Sequence, residues 1–143
     1  MSDDRITLSS AAEEFARKAH ENQIRWNGDP YITHPERIAR QFQSEHLKAV
    51  AWLHDVCEDC GISVNEIRWR FGDAVANAVE CITHKKNEQY FTYIARVGTN
   101  YLSTRVKLKD LEDNMRDLKE GKRKQKYTMA HDILSYRLQD DDF

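Results

Sequence analysis

The segment at residues 52–59 concentrates residue types that can do chemistry, because it reads Trp-Leu-His-Asp-Val-Cys-Glu-Asp. On a helix, His54 and Glu58 lie about 40° apart around the axis. Asp55 and Asp59 form a second pair with the same spacing. Four ionisable groups on one face are a plausible start for a metal site with nitrogen and oxygen ligands. The same pattern also fits an exposed polar face that carries a stray histidine.

Two distant segments hold another histidine and another aspartate that could join such a site. His34 follows a Gly-Asp-Pro-Tyr turn and lies at the start of a predicted helix. Residues 106–116 predict an amphipathic helix on which Lys107, Asp110 and Asn114 share a face away from the apolar stripe. A lone aspartate on such a helix is usually solvated, so spacing alone does not assign Asp110 to a site.

The elements that must position these residues are predicted to be helices throughout. The chain has only five Gly and two Pro, and its apolar residues recur at spacings of three and four without strict alternation. Capping residues and turn residues divide it into eight predicted helices. The first begins after Ser9-Ser10, the second at Thr33 and the fourth at Ser63, and the others cover residues 44–60, 73–83, 88–97, 103–118 and 122–138. We therefore expect an all-α fold in a single domain over residues 1–143.

The composition narrows the classes of function. A net charge of −2 over 143 residues gives no overall basic field that would hold a nucleic-acid backbone. The polar N-terminus does not resemble a signal peptide, and no apolar run is long enough to span a bilayer. Cys57, Cys60 and Cys81 are few and odd in number, and the Cys-x-x-Cys pair has no second pair that would complete a zinc site. We expect a reduced, cytoplasmic protein with neither nucleic-acid nor membrane partners, and the oligomeric state stays open.

The order of these residues, with His34 first, then His54-Asp55 and finally Asp110, resembles the HD superfamily of metal-dependent phosphohydrolases. A closer resemblance is to the hydrolase domain of RelA/SpoT-type enzymes and to the small alarmone hydrolases. The stretches that carry it are residues 15–20 with Gln23 and Arg25, 28–35, 54–59, 71–83, and 106–110 with Asn114-Met115. A bare His-Asp pair is weak evidence for the family. Three longer motifs in a fixed order are specific evidence: Pro-Tyr-Ile-x-His-Pro, His-Asp-x-x-Glu-Asp and Lys-Leu-x-Asp-x-x-x-Asn. The resemblance implies an HD-domain bundle of about seven to eight helices.

The resemblance also implies a metal centre and a water-activating pair. The ligands of one divalent cation, commonly manganese, would be His34, His54, Asp55 and Asp110. Two imidazoles and two carboxylates suit Mn²⁺ and leave positions open for water and substrate, although the donor set also admits Fe²⁺, Zn²⁺ or Co²⁺. Glu58 and Asp59 would orient or deprotonate the attacking water.

The substrate implied by the resemblance is a small nucleotide. Arg25, Tyr31 and Asn114 would contact it, and Lys85 or Lys86 would meet its distal phosphates unless these loop lysines are simply solvated. The implied reaction removes the 3′-pyrophosphate of guanosine tetra- or pentaphosphate and gives GDP or GTP.

Three positions depart from the family pattern. Trp26 stands where a second basic residue is usual, Leu111 replaces an arginine, and Asp113 stands where an aromatic residue or histidine is common. None of the three is an implied metal ligand, so they bear on the substrate. The alternatives are an HD phosphohydrolase for another nucleotide or a phosphorylated cofactor, or a catalytically silent nucleotide-binding module.

Overall fold

The computed structural model describes residues 6–140, and that part of the chain is all-α, as the sequence predicts. The polar N-terminal residues 1–5 lie outside the described residues. The helices in order are α1 (Leu8–Ala19), α2 (Thr33–Ala39), α3 (Glu45–Leu53), α4 (Val56–Cys60), α5 (Val64–Phe71), α6 (Asp73–Ile82), α7 (Tyr90–Val97), α8 (Tyr101–Met115) and α9 (Lys122–Asp140). None of these helices is both long and apolar enough to cross a bilayer.

Side-chain caps begin four of the helices. Ser44 and Ser63, both predicted as helix starts, accept hydrogen bonds from backbone N–H groups three residues on, at 3.3 and 3.1 Å. Asn100 caps α8 in the same way at 2.9 Å. The first helix begins earlier than predicted, because the Thr7 hydroxyl accepts from the N–H of Ser10 at 3.1 Å and leaves the predicted cap residues inside the helix.

The prediction of one helix over residues 44–60 is wrong, because α3 and α4 are separate. The chain leaves the helical conformation at Asp55, where φ is −112° and ψ is 0°. The interruption turns His54 into the interior, where it is 1% exposed, while Glu58 and Asp59 remain at the surface. The sequence suggested that the four ionisable groups share one helical face, and the structure shows that they do not. Instead, the histidine-aspartate pair lies at a junction between two helices.

Helix α8 runs between two hydrophobic clusters. The first cluster contains residues from all six helices α1 through α6, among them Ile38 and Leu53, and Val106 of α8 packs into it. The second cluster joins α7 and α9 to Leu108 and Leu111 of α8. Because both sides of α8 are packed, its polar residues that point toward α2 and α3 are held in fixed positions. This helix ends at Met115, three residues before the predicted end.

Candidate metal centre and cavity

The four residues implied as metal ligands meet at one point of the fold. His34 comes from the first turn of α2, Asp110 from α8, and His54 and Asp55 from the junction of α3 and α4. One donor atom of each lies within 4.8 Å of the donor atoms of the other three. Asp110 Oδ1 is central to the group, since it is 2.7 Å from the Nε2 atom of His34 and 3.3 Å from that of His54.

His54 points its Nε2 atom at this cluster. Its Nδ1 donates to the carbonyl oxygen of Ala51 at 2.7 Å, so the neutral ring carries no proton on Nε2. That Nε2 is buried and makes no hydrogen bond, because its contacts with Asp55 Oδ2 at 3.0 Å and with Asp110 lack hydrogen-bond geometry. Burial disfavours a charged ring, yet the two carboxylates outweigh it and raise the pKa of His54 well above its usual range. The cluster therefore demands positive charge, and its donor set fits a divalent cation.

Asp113 binds the ring nitrogen of His34 that faces away from the cluster. The sequence analysis treated Asp113 only as a departure from the family pattern. His34 Nδ1 donates to Asp113 Oδ2 at 2.6 Å, and Arg37 donates to both oxygens of the same carboxylate at 2.7 and 2.9 Å. Burial would raise the pKa of Asp113, but His34 and Arg37 lower it, so it stays a carboxylate. A carboxylate on Nδ1 fixes the orientation of the ring, so that Nε2 points into the cluster, 2.7 Å from Asp110 Oδ1. The spacing of Asp110 and Asp113, one helical turn apart, was the signal in the sequence.

Lys107 is a second site residue that sequence reasoning did not assign. Its Nζ donates to Asp110 Oδ2 at 2.8 Å and lies 5.1 Å from the centre of the Tyr93 ring. Burial would lower the pKa of Lys107, but Asp110 and Tyr93 raise it well above its usual range. Lys107 is therefore a permanent positive charge beside the cluster. Such a charge suits a phosphate-bearing ligand.

Glu58 and Asp59 lie on α4 beside the cluster and have fewer partners. Glu58 Oε1 accepts from the backbone N–H of His84 at 2.9 Å, and Asp59 Oδ2 accepts from the amide of Gln23 at 3.2 Å. Partial desolvation of the carboxyl groups, followed by the negative charge of Asp55, raises the pKa of both. A carboxylate with a raised pKa accepts a proton more readily, so the pair is suited to deprotonating water.

The cluster opens into a cavity of about 250 Å³. Tyr31 lines it and donates its hydroxyl proton to Asp55. Tyr90 of α7 and Tyr127 of α9 form the far wall, which the sequence did not predict because these helices are remote along the chain. A larger groove of about 780 Å³ lies between α1 and α5, but its walls include none of the predicted site residues. The smaller cavity is the candidate site because the ionisable groups converge there.

The residues implied for nucleotide contact fall into two groups. Arg25 is buried and donates to Asn114 Oδ1 at 3.1 Å, and Asn114 in turn donates to Asp110 Oδ1 at 3.1 Å. These two residues and Tyr31 are thus connected to the cluster. Lys85 is exposed and is not part of the cavity wall. Its contact with distal phosphates stays a prediction.

Comparisons with known proteins point to one family. A sequence model of the HD domain matches residues 12–134. A guanosine-3′,5′-bis(diphosphate) 3′-pyrophosphohydrolase of Aquifex aeolicus is 37% identical over an alignment that covers 89% of this chain and 21% of that protein. The bifunctional (p)ppGpp synthase/hydrolase SpoT of Escherichia coli K12 is 35% identical over 81% of this chain and 19% of its own length. The chain thus spans about a fifth of the length of these curated relatives.

A solved structure supports the same fold. It is described as a metazoan ortholog of SpoT that hydrolyzes ppGpp, and it matches 96% of this chain and 88% of its own with a TM-score of 0.76 and 22% identity. The predicted all-α HD fold is therefore confirmed. Because the family match covers most of the sequence, the chain belongs to the HD domain family.

Proposed function

We propose that this chain is a manganese-dependent phosphohydrolase that removes the 3′-pyrophosphate of guanosine tetra- or pentaphosphate. The observation that carries the proposal is the convergence of a buried two-histidine, two-aspartate cluster and an exposed acidic pair on one cavity. The names of the curated relatives support the choice of substrate. We keep the predictions of a single domain over residues 1–143, a cytoplasmic location, and no nucleic-acid or membrane partner.

The proposed metal ligands are the Nε2 atoms of His34 and His54 with the carboxylates of Asp55 and Asp110. When bound, a divalent cation lowers the pKa of water and neutralises charge on a phosphate. Mn²⁺ accepts both imidazole and carboxylate ligands, which is the mixture found here. The residues around the cluster keep the donors in place, since Asp113 orients one ring and the Ala51 carbonyl orients the other.

The proposed chemical step is attack of water on the phosphorus joined to the ribose 3′-oxygen. The new bond is between the water oxygen and that phosphorus, and the bond from phosphorus to the 3′-oxygen breaks. One water proton passes to the carboxylate of Glu58 or Asp59, which later releases it to solvent, and the leaving 3′-oxygen takes up a proton from solvent and ends as a hydroxyl. The products are pyrophosphate and GDP or GTP. The raised pKa of the two acids favours the proton transfer.

The size and charge of the cavity suggest how the substrate lies. A volume of about 250 Å³ is below the range of about 300–1,000 Å³ typical of whole-ligand pockets, so it suits the pyrophosphate rather than the entire nucleotide. Lys107 contributes a positive charge inside the cavity. The nucleoside would lie toward Tyr31, Arg25 and Asn114, which are joined to the cluster by hydrogen bonds. Lys85 would add at most a contact from outside the cavity.

A second candidate substrate is another phosphorylated nucleotide or cofactor. Leu111 lines the cavity with an apolar side chain where related hydrolases carry an arginine, and Trp26 is 64% exposed beside the buried Arg25. Both features change the surface that a base or a second phosphate would meet. This candidate keeps the same cluster and the same water-activating pair.

The test is a substrate panel with the metal-loaded protein. We would offer guanosine tetraphosphate, 3′-phosphorylated nucleotides and phosphorylated dinucleotide cofactors with Mn²⁺, Fe²⁺, Co²⁺ or Zn²⁺, and separate the products by ion-exchange chromatography. The proposal predicts GDP and pyrophosphate from guanosine tetraphosphate, fastest with Mn²⁺, and no product from Asp55→Ala. Preferred cleavage of another compound would favour the second candidate. Tight nucleotide binding without any product over hours would instead indicate a silent binding module.

A further inference from the structure

We propose that His20 and Gln23 are positioning residues that hold Asp59 for the water-activating step. The inference rests on the function proposed above. Gln23 lies in the turn after α1, 36 residues before Asp59, and its Nε2 donates to Asp59 Oδ2 at 3.2 Å. Within residues 6–140, this amide is the one side chain that donates a hydrogen bond to Asp59. The turn after α1 therefore fixes one carboxylate of the acidic pair.

His20 and Asp59 together fix which way the Gln23 amide points. The buried His20 ring, 2% exposed, brings Nδ1 to 2.8 Å from Gln23 Oε1. Because the Asp59 carboxylate only accepts, the Gln23 amide turns its NH₂ group toward Asp59 and its oxygen toward His20, and the His20 tautomer that donates to this oxygen carries its proton on Nδ1. A reversed amide would place its oxygen against the carboxylate and lose both hydrogen bonds. The three side chains therefore form one ordered chain of donors and acceptors.

Two further contacts fix His20 itself. Its ring packs against the ring of Tyr31, with centroids 4.6 Å apart and an angle of 38° between the planes. The thiol of Cys60 lies 3.4 Å from His20 Nδ1 and 3.9 Å from Gln23 Oε1, so the amide oxygen has a second donor. Tyr31 in turn donates to Asp55. His20 thus touches a residue bound to a proposed metal ligand and a residue bound to the acidic pair.

The location of Asp59 explains why it needs such support. Helix α4 has five residues and no side-chain hydrogen bond at its N-cap, and Asp59 is exposed. An unrestrained carboxylate there would adopt several side-chain conformations. Because misplacement of a reacting group by about 1 Å can cost on the order of 100-fold in rate, loss of the amide should lower turnover. It should not weaken metal binding, since neither residue touches the cluster atoms.

The first experiment compares Gln23→Leu, His20→Phe and the double variant with wild type. Phe keeps a ring against Tyr31 but removes the donor. We expect kcat to fall about 10- to 100-fold in each single variant, with KM and Mn²⁺ affinity within about twofold of wild type. The double variant should be no slower than the slower single variant, because both changes break the same chain of hydrogen bonds. Gln125→Leu, an exposed glutamine on α9, is the matched control and should keep wild-type kcat.

Asp59→Asn, measured in parallel, separates the positioning role of Gln23 from the proposed water-activating role of Asp59. If Asp59→Asn loses activity while Gln23→Leu keeps wild-type kcat, the positioning role is wrong and the proposed function stands. If Asp59→Asn itself keeps full activity, the water-activating role proposed for this residue is wrong. Equal losses of kcat and Mn²⁺ affinity in Gln23→Leu would indicate a general structural defect and would also overturn the positioning role.

A second measurement does not depend on turnover. The side-chain amide protons of Gln23 can be followed by NMR in wild type and in Asp59→Asn. Because a hydrogen bond to a carboxylate shifts and protects an amide proton, we expect one Gln23 proton to lose its shift and its slow exchange in the variant. Unchanged Gln23 resonances would overturn the proposal even if no substrate of the protein were known.

Discussion

The buried end of the cavity and its α4 end hold their acidic residues in different ways. At the buried end, Asp110 is 3% exposed, and its two oxygens contact His34 and Lys107 at 2.7 and 2.8 Å. At the α4 end, Glu58 and Asp59 are exposed, and each accepts one N–H within the described residues. One cavity therefore combines a network of closely paired charges with two carboxylates that each accept a single hydrogen bond.

The difference matches two different tasks. Charges that leave water must be fully paired, because an unpaired buried charge is strongly destabilising. Such pairing also arranges metal ligands before the ion arrives. A proton acceptor must instead ionise, take a proton and release it to water, which requires exposure and a suitable pKa. We therefore expect changes at the buried end to affect folding and metal binding, and changes at the α4 end to affect turnover alone.

The largest effect is expected from Asp110→Ala. This variant leaves the Lys107 ammonium buried without its partner, so we expect the free energy of unfolding to fall by about 3–5 kcal/mol and Mn²⁺ binding to be lost. Urea denaturation and calorimetry measure the two effects. Glu112→Ala removes an exposed carboxylate from the same helix and should change stability by less than about 1 kcal/mol. Similar stabilities of the two variants would mean that the buried network does not support the fold.

The next largest effect is expected from Glu58→Gln and Asp59→Asn. Loss of the proton acceptor should lower kcat by about 10²- to 10⁴-fold. Mn²⁺ affinity and the unfolding midpoint should stay close to wild type, because both side chains are exposed. Glu21→Gln, an exposed position on the turn after α1, serves as the control. A large loss of stability or metal binding in these variants would remove the distinction between the two ends.

Asp113→Asn tests how His34 is oriented. The amide fills the same space but weakens the hydrogen bond to Nδ1, so Mn²⁺ affinity should fall about 10- to 100-fold. Isothermal titration calorimetry gives the affinity directly. Unchanged affinity would show that Arg37 and the packing of α2 suffice to hold the ring.

The pH dependence of activity should reflect the ionisation of the acidic residues at the α4 end. Partial desolvation and the negative charge of Asp55 raise the pKa of Glu58 above its ordinary value of 4.5, and only the ionised form accepts a proton. Activity with saturating Mn²⁺ should therefore decline as the pH falls through a value above 4.5. Asp59→Asn removes one of the negative charges that raise this pKa, so the acidic limb of its residual activity should move to lower pH. A shift to higher pH would contradict the assignment of Glu58 as proton acceptor.

The smallest effect is expected from Lys85→Ala. The side chain is exposed and lies outside the cavity wall, where an ion pair contributes at most about 1 kcal/mol. We expect KM to rise by less than about fivefold and kcat to stay unchanged in steady-state kinetics. A rise of 100-fold would mean that the loop after α6 moves onto the substrate.

The sequence predicted the all-α fold and the residues that converge at the cluster, because their motifs are specific in type and order. It did not predict the interruption after His54. The apolar spacing of residues 44–60 is compatible with one helix, whereas the structure turns the chain at Asp55, where His54 meets Asp110 of α8. As a result, the expected shared face of His54 and Glu58 was wrong: Glu58 lines the cavity, whereas His54 is buried in the cluster.

The roles of Lys107 and Asp113 also depend on tertiary structure. Each lies three residues from Asp110 on α8, so the sequence placed them near it. Asp113 faces a buried partner because α2 supplies His34 and Arg37 from more than 70 residues away, and Lys107 does so because α7 brings the Tyr93 ring against it. Spacing along one helix cannot identify a partner on another.

The most direct test of the central claim is hydrolysis of guanosine tetraphosphate in ¹⁸O-labelled water by the Mn²⁺-loaded protein, with products analysed by mass spectrometry. Attack of water on the phosphorus at the 3′-oxygen predicts one ¹⁸O atom in pyrophosphate and none in GDP. Glu58→Gln should form the same products far more slowly. Release of orthophosphate, label in GDP, or an intact substrate would contradict the account.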